Sequence, residues 1–369
     1  MAKSYSIAFV SMFLMLFNSC QSLEQFSISY LKPGEISFPA QLRKVAIVNN
    51  SSTIPDNKLL TEAEKPKENN PLVYKATAYA NGDTKIAIES LAKEIANQNY
   101  FDEVVICDSA LRANDKFPRE NTLSQDEVRQ LTSDLGVDFI IALENLQIKA
   151  TKTVLYMKNS DCYEGTVDAK IFPTIRIYVP SRSGPLTTLL PKDSIFWQEY
   201  GGSAEMIKRV LVSDTQMLKE SAEFAGTIPV KYLTPYWTTG ERYIFTGGSP
   251  AMRDAAIYVR ENSWDKAYEL WNQVYESTKS KKKKMQTAFN IALYYEMKDS
   301  IPRAQEWAAK AQEIAMKIDK IEEQPQKGPV LIGNIPNYYL TAFYINELKE
   351  RNKTFPKVNM QMNRFNDDF

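Results

Sequence analysis

Residues 249–316 read SPAMRDAAIYVRENSWDKAYELWNQVYESTKSKKKKMQTAFNIALYYEMKDSIPRAQEWAAKAQEIAM, and one pattern of small and aromatic residues occurs in them twice. Ala251, Ala255, Tyr258, Ala267, Trp271 and Val274 stand at the same relative positions as Ala288, Ala292, Tyr295, Ala304, Ala308 and Ala311, an offset of 37 residues. Small residues at helical spacing let two helices cross at ~8–10 Å, and an aromatic beside them fills the gap. The pattern predicts two stacked helix pairs, with Ala255, Ala267, Trp271, Ala292 and Ala304 at packing positions. Ser249 is placed to cap the first helix and Pro250 to open it. Tyr258, Trp264 and Tyr295 are the candidate partner-binding residues.

The 369-residue chain is 44% hydrophobic and 11% aromatic, enough to bury a sizeable core in two domains. Lys plus Arg equals Asp plus Glu at 45 each, so net charge points to no nucleic acid. Histidine is absent and only three cysteines occur, which removes the commonest general base, the commonest metal ligand and the familiar zinc patterns. No cofactor and no metal is expected, and no catalytic constellation stands out.

The chain begins Met1-Ala-Lys3, followed by an apolar run from Tyr5 to Phe17 and then Asn18-Ser19-Cys20. Thirteen residues are too few to span a ~30 Å hydrocarbon core as a helix, and a basic residue before a short apolar run reads as a signal peptide. Residues 1–19 are expected to be that peptide, with 20–42 a tether behind it. If Cys20 is consumed by acylation, Cys107 and Cys162 are expected to be two separate thiols.

From Arg43 onward strands and helices alternate. Val45-Ala-Ile-Val48, Val104-Val-Ile-Cys107 and Phe139-Ile-Ile-Ala-Leu143 are continuous apolar runs, as expected of strands covered on both faces. Between them lie a helix with Ile88, Leu91, Ala92 and Ile95 on one face, and a second opened by the capping box Ser124/Glu127 and closed by Gly136. This order predicts a βαβαβ core with parallel strands. Alternation at Val167, Ala169, Ile171, Ile175, Ile177 and Val179 then predicts an antiparallel extension, with Pro173 confined to an edge or bulge. Leu233–Trp237 and Arg242–Phe245 are expected to return to that sheet. The fold class is thus an α/β domain with a mixed sheet over 43–246, an all-α helical repeat domain over 249–351 and a flexible tail over 352–369.

Three resemblances attach to these residues. The repeated pattern resembles the tetratricopeptide repeat, of ~34 residues, on Ala255, Tyr258 and Ala267 and their second-copy equivalents; it departs at Ala251, Asp254, Ala288 and Met316. Ser19-Cys20 after the apolar run resembles the bacterial lipobox, which implies a diacylglyceryl group on Cys20. The layout, with Ile195-Phe-Trp197 and Thr234-Pro-Tyr-Trp237, looks like a family of uncharacterised lipoproteins of Gram-negative bacteria. It implies a cell-envelope protein, lipid-anchored in the outer membrane on the periplasmic side, and no assigned activity. The reading of the whole is a scaffold that binds another envelope protein through its helical repeats and is not an enzyme. The alternative is a carboxylate-based, glycan-directed envelope enzyme with its site in the loops at 51–82 or 157–166. Asp138 and Glu144, at the two ends of one strand segment, are set ~20 Å apart by their spacing and make no acid/base pair.

Overall fold

A computed structural model describes residues 23–52, 71–113, 122–321 and 336–365. The expected signal peptide and Cys20 lie outside these residues. Among the described residues no helix is long and apolar enough to cross a membrane. The chain folds into two units made of interleaved segments: Pro33–Tyr236 with Val358–Phe369, and Met1–Lys32 with Trp237–Lys357.

The first unit is mixed α/β. Strands β2 (Lys44–Asn49), β4 (Glu103–Cys107) and β5 (Phe139–Met157) lie parallel, with Val45 opposite both Val104 and Phe139. Val45, Ala46, Ile47 and Val48 are all 0% exposed, because helices cover both faces. On one face helices α1 (Thr84–Asn97) and α4 (Asp214–Thr227), the latter flanked in the chain by the short helices α3 (Ala204–Val210) and α5 (Val230–Leu233), close a core of Val45, Ile47, Ile88, Leu91, Phe139 and Ile141. At Gly226 the two helices touch backbone to backbone: a Cβ there would lie 2.5 Å from the Leu91 nitrogen. On the other face α2 (Gln125–Leu135) packs Val128 and Leu131 on Ala46, Val48, Ile140 and Ala142. Its Ser124/Glu127 capping box forms, and Gly136 takes the left-handed conformation at φ 66°.

Strand β5 does not stop at Leu143 but runs to Met157, pairing antiparallel with β6 (Cys162–Tyr178) and, on its other side, with β3 (Leu72–Asn81). Strands β7 (Thr187–Leu189) and β8 (Asp193–Gly201) complete a seven-stranded sheet of order β4-β2-β5-β6-β7, with β3 on β5 and β8 on β6. Pro173 sits inside β6 rather than at an edge. β7 pairs with Ile175–Ile177 and β8 with Tyr163–Ile171, so Pro173 falls in the gap between the two, where a missing N–H costs the ladder little. Cys107 and Cys162 are free thiols.

Among its described residues the second unit is helical apart from one strand pair. Helices α6 (Pro250–Arg260), α7 (Trp264–Ser277), α8 (Lys281–Met297) and α9 (Ile301–Asp319) follow in chain order, and α10 (Asn337–Met362) supplies its part up to Lys357. Ser249 caps α6 and Pro250 opens it. Helix α8 lacks a polar side in its middle: Met285 to Leu293 are buried without interruption, which marks it as the central helix of the unit. Lys281 to Lys284 form its first turn.

Three expectations are corrected. Residues 23–32, within the expected tether, form β1 (Leu23–Lys32), whose Phe26, Ile28 and Tyr30 alternate toward the unit. β1 pairs with β9 (Tyr236–Phe245) in a separate two-stranded sheet, so the stretch from Tyr236 to Phe245 does not return to the large sheet. The stretch from 352, expected to be a flexible tail, is helical to Met362 despite Pro356, and its end belongs to the α/β unit. There the Gln361 amide donates to the Gly34 and Ile36 carbonyls and accepts from the Gly34 N–H, while Arg364 donates to the Leu42 carbonyl and lies over Tyr100.

Candidate functional site

The two helical hairpins close through the same turn. Asn262 and Asp299, 37 positions apart, both adopt the left-handed conformation, at φ 56° and 54°. Behind them the Ser263 and Ser300 N–H groups donate to the Tyr258 and Tyr295 carbonyls at 2.7 and 2.9 Å. The Tyr258 ring carries the Lys266 ammonium at 5.4 Å and the Tyr295 ring the Arg303 guanidinium at 5.6 Å, again equivalent positions. Ala255, Ala267, Trp271, Ala292 and Ala304 are each 0% exposed at the helix contacts.

At the first turn the surface opens into a recess of about 400 Å³, lined by Asn262, Ser263, Trp264, Asp265, Lys266, Met297 and Lys298. The Trp264 indole N–H donates to the Asn262 side chain at 2.9 Å, and its ring meets Phe26 at 5.9 Å. Asp265, held below the usual carboxylate range by its hydrogen bonds from Lys298 and then Tyr294, is the one acid in the lining. Trp264 alone of the three candidate binding residues reaches the recess. Tyr295 packs instead with Tyr268 and Tyr294, whose rings stack at 4.3 Å, and Tyr258 lies under Lys266.

Deeper in the same unit, Glu296 is 0% exposed and fully occupied. The Arg242 guanidinium grips both of its oxygens at 2.8–3.2 Å, the Tyr344 hydroxyl donates at 2.9 Å and Arg351 at 3.0 Å. Tyr344 is held well above the usual tyrosine range by its burial and then by the charge of Glu296. Nearby, the Asn290 amide accepts from the Phe245 N–H at 3.0 Å and donates to its carbonyl at 2.8 Å, standing in for a neighbouring strand on β9. This interior is an ionic clamp, not an open site.

The α/β unit holds a second polar cluster, which the sequence reading passed over. On β5, Ile140 and Ala142 face α2, and Glu144 comes next at the two-residue repeat of that face. The ladder to β6 pairs Leu143 with Ile175 and Asn145 with Thr174, so Glu144 is the extra residue of a bulge, which turns its side chain inward. It is 3% exposed. The Tyr178 hydroxyl and the Asn50 amide each donate to it at 2.7 Å, and Arg176 lies 3.9 Å away. Burial pushes the Glu144 carboxyl up to about 7, against the opposing pull of the Tyr178 and Asn50 hydrogen bonds and of the Arg176 and Arg112 charges. Arg112, on the segment after β4, is 3% exposed and reaches Glu127 of α2 through one nitrogen at 3.1 Å. Asp138, by contrast, accepts from the Arg43 and Lys44 N–H groups at 2.8 Å and fixes the start of β2. A single acid inside an apolar strand was the one sequence signal for this cluster; its partners lie 94 and 34 residues away.

Searches of curated proteins and of solved structures return no match to the chain. Family models match both units. Residues 253–350 match a domain of unknown function, DUF6340, which covers most of the helices described above. Residues 42–245, more than half of the chain, match another domain of unknown function, DUF8603, whose limits take in the parallel strands, the Glu144 bulge and β9. The protein therefore belongs to the DUF8603 family.

Proposed function

We propose that this protein is a lipoprotein of the bacterial cell envelope, anchored through Cys20 in the outer membrane on its periplasmic side, and that it holds another protein against its helical unit. The observation that carries the binding reading is the duplicated hairpin with its recess at the first turn. Two helix pairs with the same left-handed turn and a cation over the equivalent tyrosine fit tetratricopeptide-like repeats, whose use is to present side chains to a partner rather than to perform chemistry. The recess offers an aromatic wall at Trp264, the amphipathic stems of Lys266 and Lys298, and one acid already engaged by Lys298. A pair of carboxylates ~5–9 Å apart, which glycoside hydrolysis needs, is not found in that lining. The short apolar run ending at Ser19-Cys20 supports the anchor.

A second reading, an envelope enzyme, draws on one observation: Glu144 is a buried acid whose carboxyl titrates near neutrality. The stretch at 157–166, expected to be a loop, is the tight β5–β6 hairpin with the start of β6; there Asp161 accepts from the Tyr156 hydroxyl and Glu164 from Gln198, so these carboxylates are engaged locally.

The test is photocrosslinking in intact cells with p-benzoylphenylalanine at position 266, compared with the same label at Lys93 on α1. One discrete adduct specific to position 266, and weakened by Cys20→Ala as the protein leaves the membrane fraction, is the expected result. Equal adducts from both positions, or none from 266, would remove the helical unit as the binding surface.

A further inference from the structure

Around Glu144 two arginines are only partly used. Arg112 spends one terminal nitrogen on Glu127, while its Nε and its other terminal nitrogen are buried with no hydrogen-bond partner. Arg176 spends a terminal nitrogen on the Thr122 hydroxyl at 2.7 Å, and its Nε is likewise buried and unpartnered. A buried N–H left without an acceptor forfeits its solvation, at a greater cost on a charged group, so three in one neighbourhood are unusual. Both guanidinium charges act on the same carboxylate, Glu144. The cluster lies where the chain leaves β2 and β4, beyond the carboxyl ends of the parallel strands: the Leu111 N–H, next to Arg112, donates to the Asn49 carbonyl at 2.9 Å. That end of an open parallel sheet is where α/β folds take up ligands.

We propose that Arg112 and Arg176 form a binding site for a small oxyanion, a phosphoryl or carboxylate group, at the carboxyl ends of β2 and β4. A guanidinium offers two N–H groups in a rigid fork that matches two oxygens of one anion, and two such forks on one side of the sheet satisfy several oxygens at once. Glu127 neutralises Arg112 from the α2 side. Glu144 faces Arg176 and Arg112, with the Tyr178 hydroxyl and the Asn50 amide on its oxygens. Ionised, it competes with the anion; protonated, it leaves a net positive site with the hydroxyl of Tyr178 still in place. Anion binding is therefore coupled to uptake of a proton, and the site holds its ligand more tightly at mildly acid pH.

The experiment is isothermal titration of the full chain with sodium sulfate, whose charge is constant between pH 6 and 8, and with sodium acetate, at ionic strength matched with sodium chloride. Saturable 1:1 binding of sulfate alone assigns a phosphoryl-like tetrahedral ligand, and binding of acetate as well assigns a carboxylate. Binding is expected to weaken about tenfold from pH 6 to pH 8, following the protonation of a single group that titrates near 7, and Glu144→Gln is expected to abolish that dependence. Arg112→Gln and Arg176→Gln should each lower affinity at least tenfold. Arg176 is the more exposed of the two, so its variant decides the matter if Arg112→Gln does not fold. Heats no larger than those of chloride for both anions, or full affinity in Arg176→Gln, would overturn the proposal.

Discussion

Each unit buries one glutamate beside two arginines, and the two settings are opposites. Glu296 has both oxygens gripped by Arg242, with Arg351 and Tyr344 closing the remaining directions, so each charge is met by a charge at hydrogen-bond distance. Among the described residues Glu144 takes neutral donors at 2.7 Å and has Arg176 at 3.9 Å, while N–H groups on Arg112 and Arg176 are buried without a hydrogen-bond partner. Burial alone therefore does not decide what a charged residue is for. A closed network acts as a clamp, since removing one member strands the rest. An unfilled one keeps donors in reserve at a cost in stability, and such a cost persists where a ligand repays it.

The largest expected effect tests the clamp. Glu296→Ala leaves Arg242, 3% exposed, with only the exposed Glu347 at 3.7 Å as counter-charge and should cost about 3–5 kcal/mol, read as a lower urea midpoint in the helical circular dichroism signal. A cost below about 1 kcal/mol would erase the contrast between the two sites.

Next in size is a pH-dependent gain. The Glu144 carboxyl titrates near 7 in the folded chain, above the ~4.3 of a free glutamate, so the folded state binds this proton more tightly than the unfolded one. Stability from this group is therefore lost as pH rises through that interval, and the deficit is complete above 7. Glu144→Gln, which mimics the protonated acid, should be near neutral at about pH 4 and stabilise by about 3–4 kcal/mol at about pH 8, at about 1.4 kcal/mol per unit. A variant less stable than the wild type at pH 8 would mean that the two arginines hold the carboxylate ionised, and the site would then resemble the clamp.

The smallest effects sharpen the comparison from the side of the hydroxyl donors. Tyr178→Phe removes one of the two 2.7 Å donors on Glu144 and should cost about 1–2 kcal/mol. Tyr344→Phe, which removes one donor among several on Glu296, should cost less. The reverse order, measured under the same urea conditions, would show that Glu144 draws its support from elsewhere.

How much of this was readable in the residues follows from range. Val45–Val48 and Phe139–Leu143 announced buried parallel strands because each residue in them is apolar, and Ser124, Glu127 and Gly136 bracketed α2 through contacts three or four residues long. The 37-residue offset exposed the two hairpins because each is a local object with its own turn. β1 was legible in principle, with Phe26, Ile28 and Tyr30 alternating, but its partner β9 lies some two hundred residues on, and no local signal names a partner at that distance. β3 carried a β signal in Val73, Tyr74, Thr77 and Tyr79, but it reads as part of the loop at 51–82 together with the polar segment that precedes it. Glu144 was legible only as an anomaly. What makes it a site is a bulge, a tyrosine on another strand and two arginines, and none of these is adjacent in the chain.

The interleaving of the two units sets the order in which either can be finished. β1 leaves the ribosome well before the segment that completes its unit, which starts at Trp237, about 205 residues after Lys32. At ~5–20 residues per second that is a wait of roughly 10 to 40 s, during which Phe26, Ile28 and Tyr30 have no strand or helix of their own unit to cover them. The α/β unit waits longer still for Gln361 and Arg364, which tie down Gly34, Ile36 and Leu42. Neither unit can lock its earlier segment until the distant one that completes it has been made, and in that interval holdase chaperones can bind the unfinished chain.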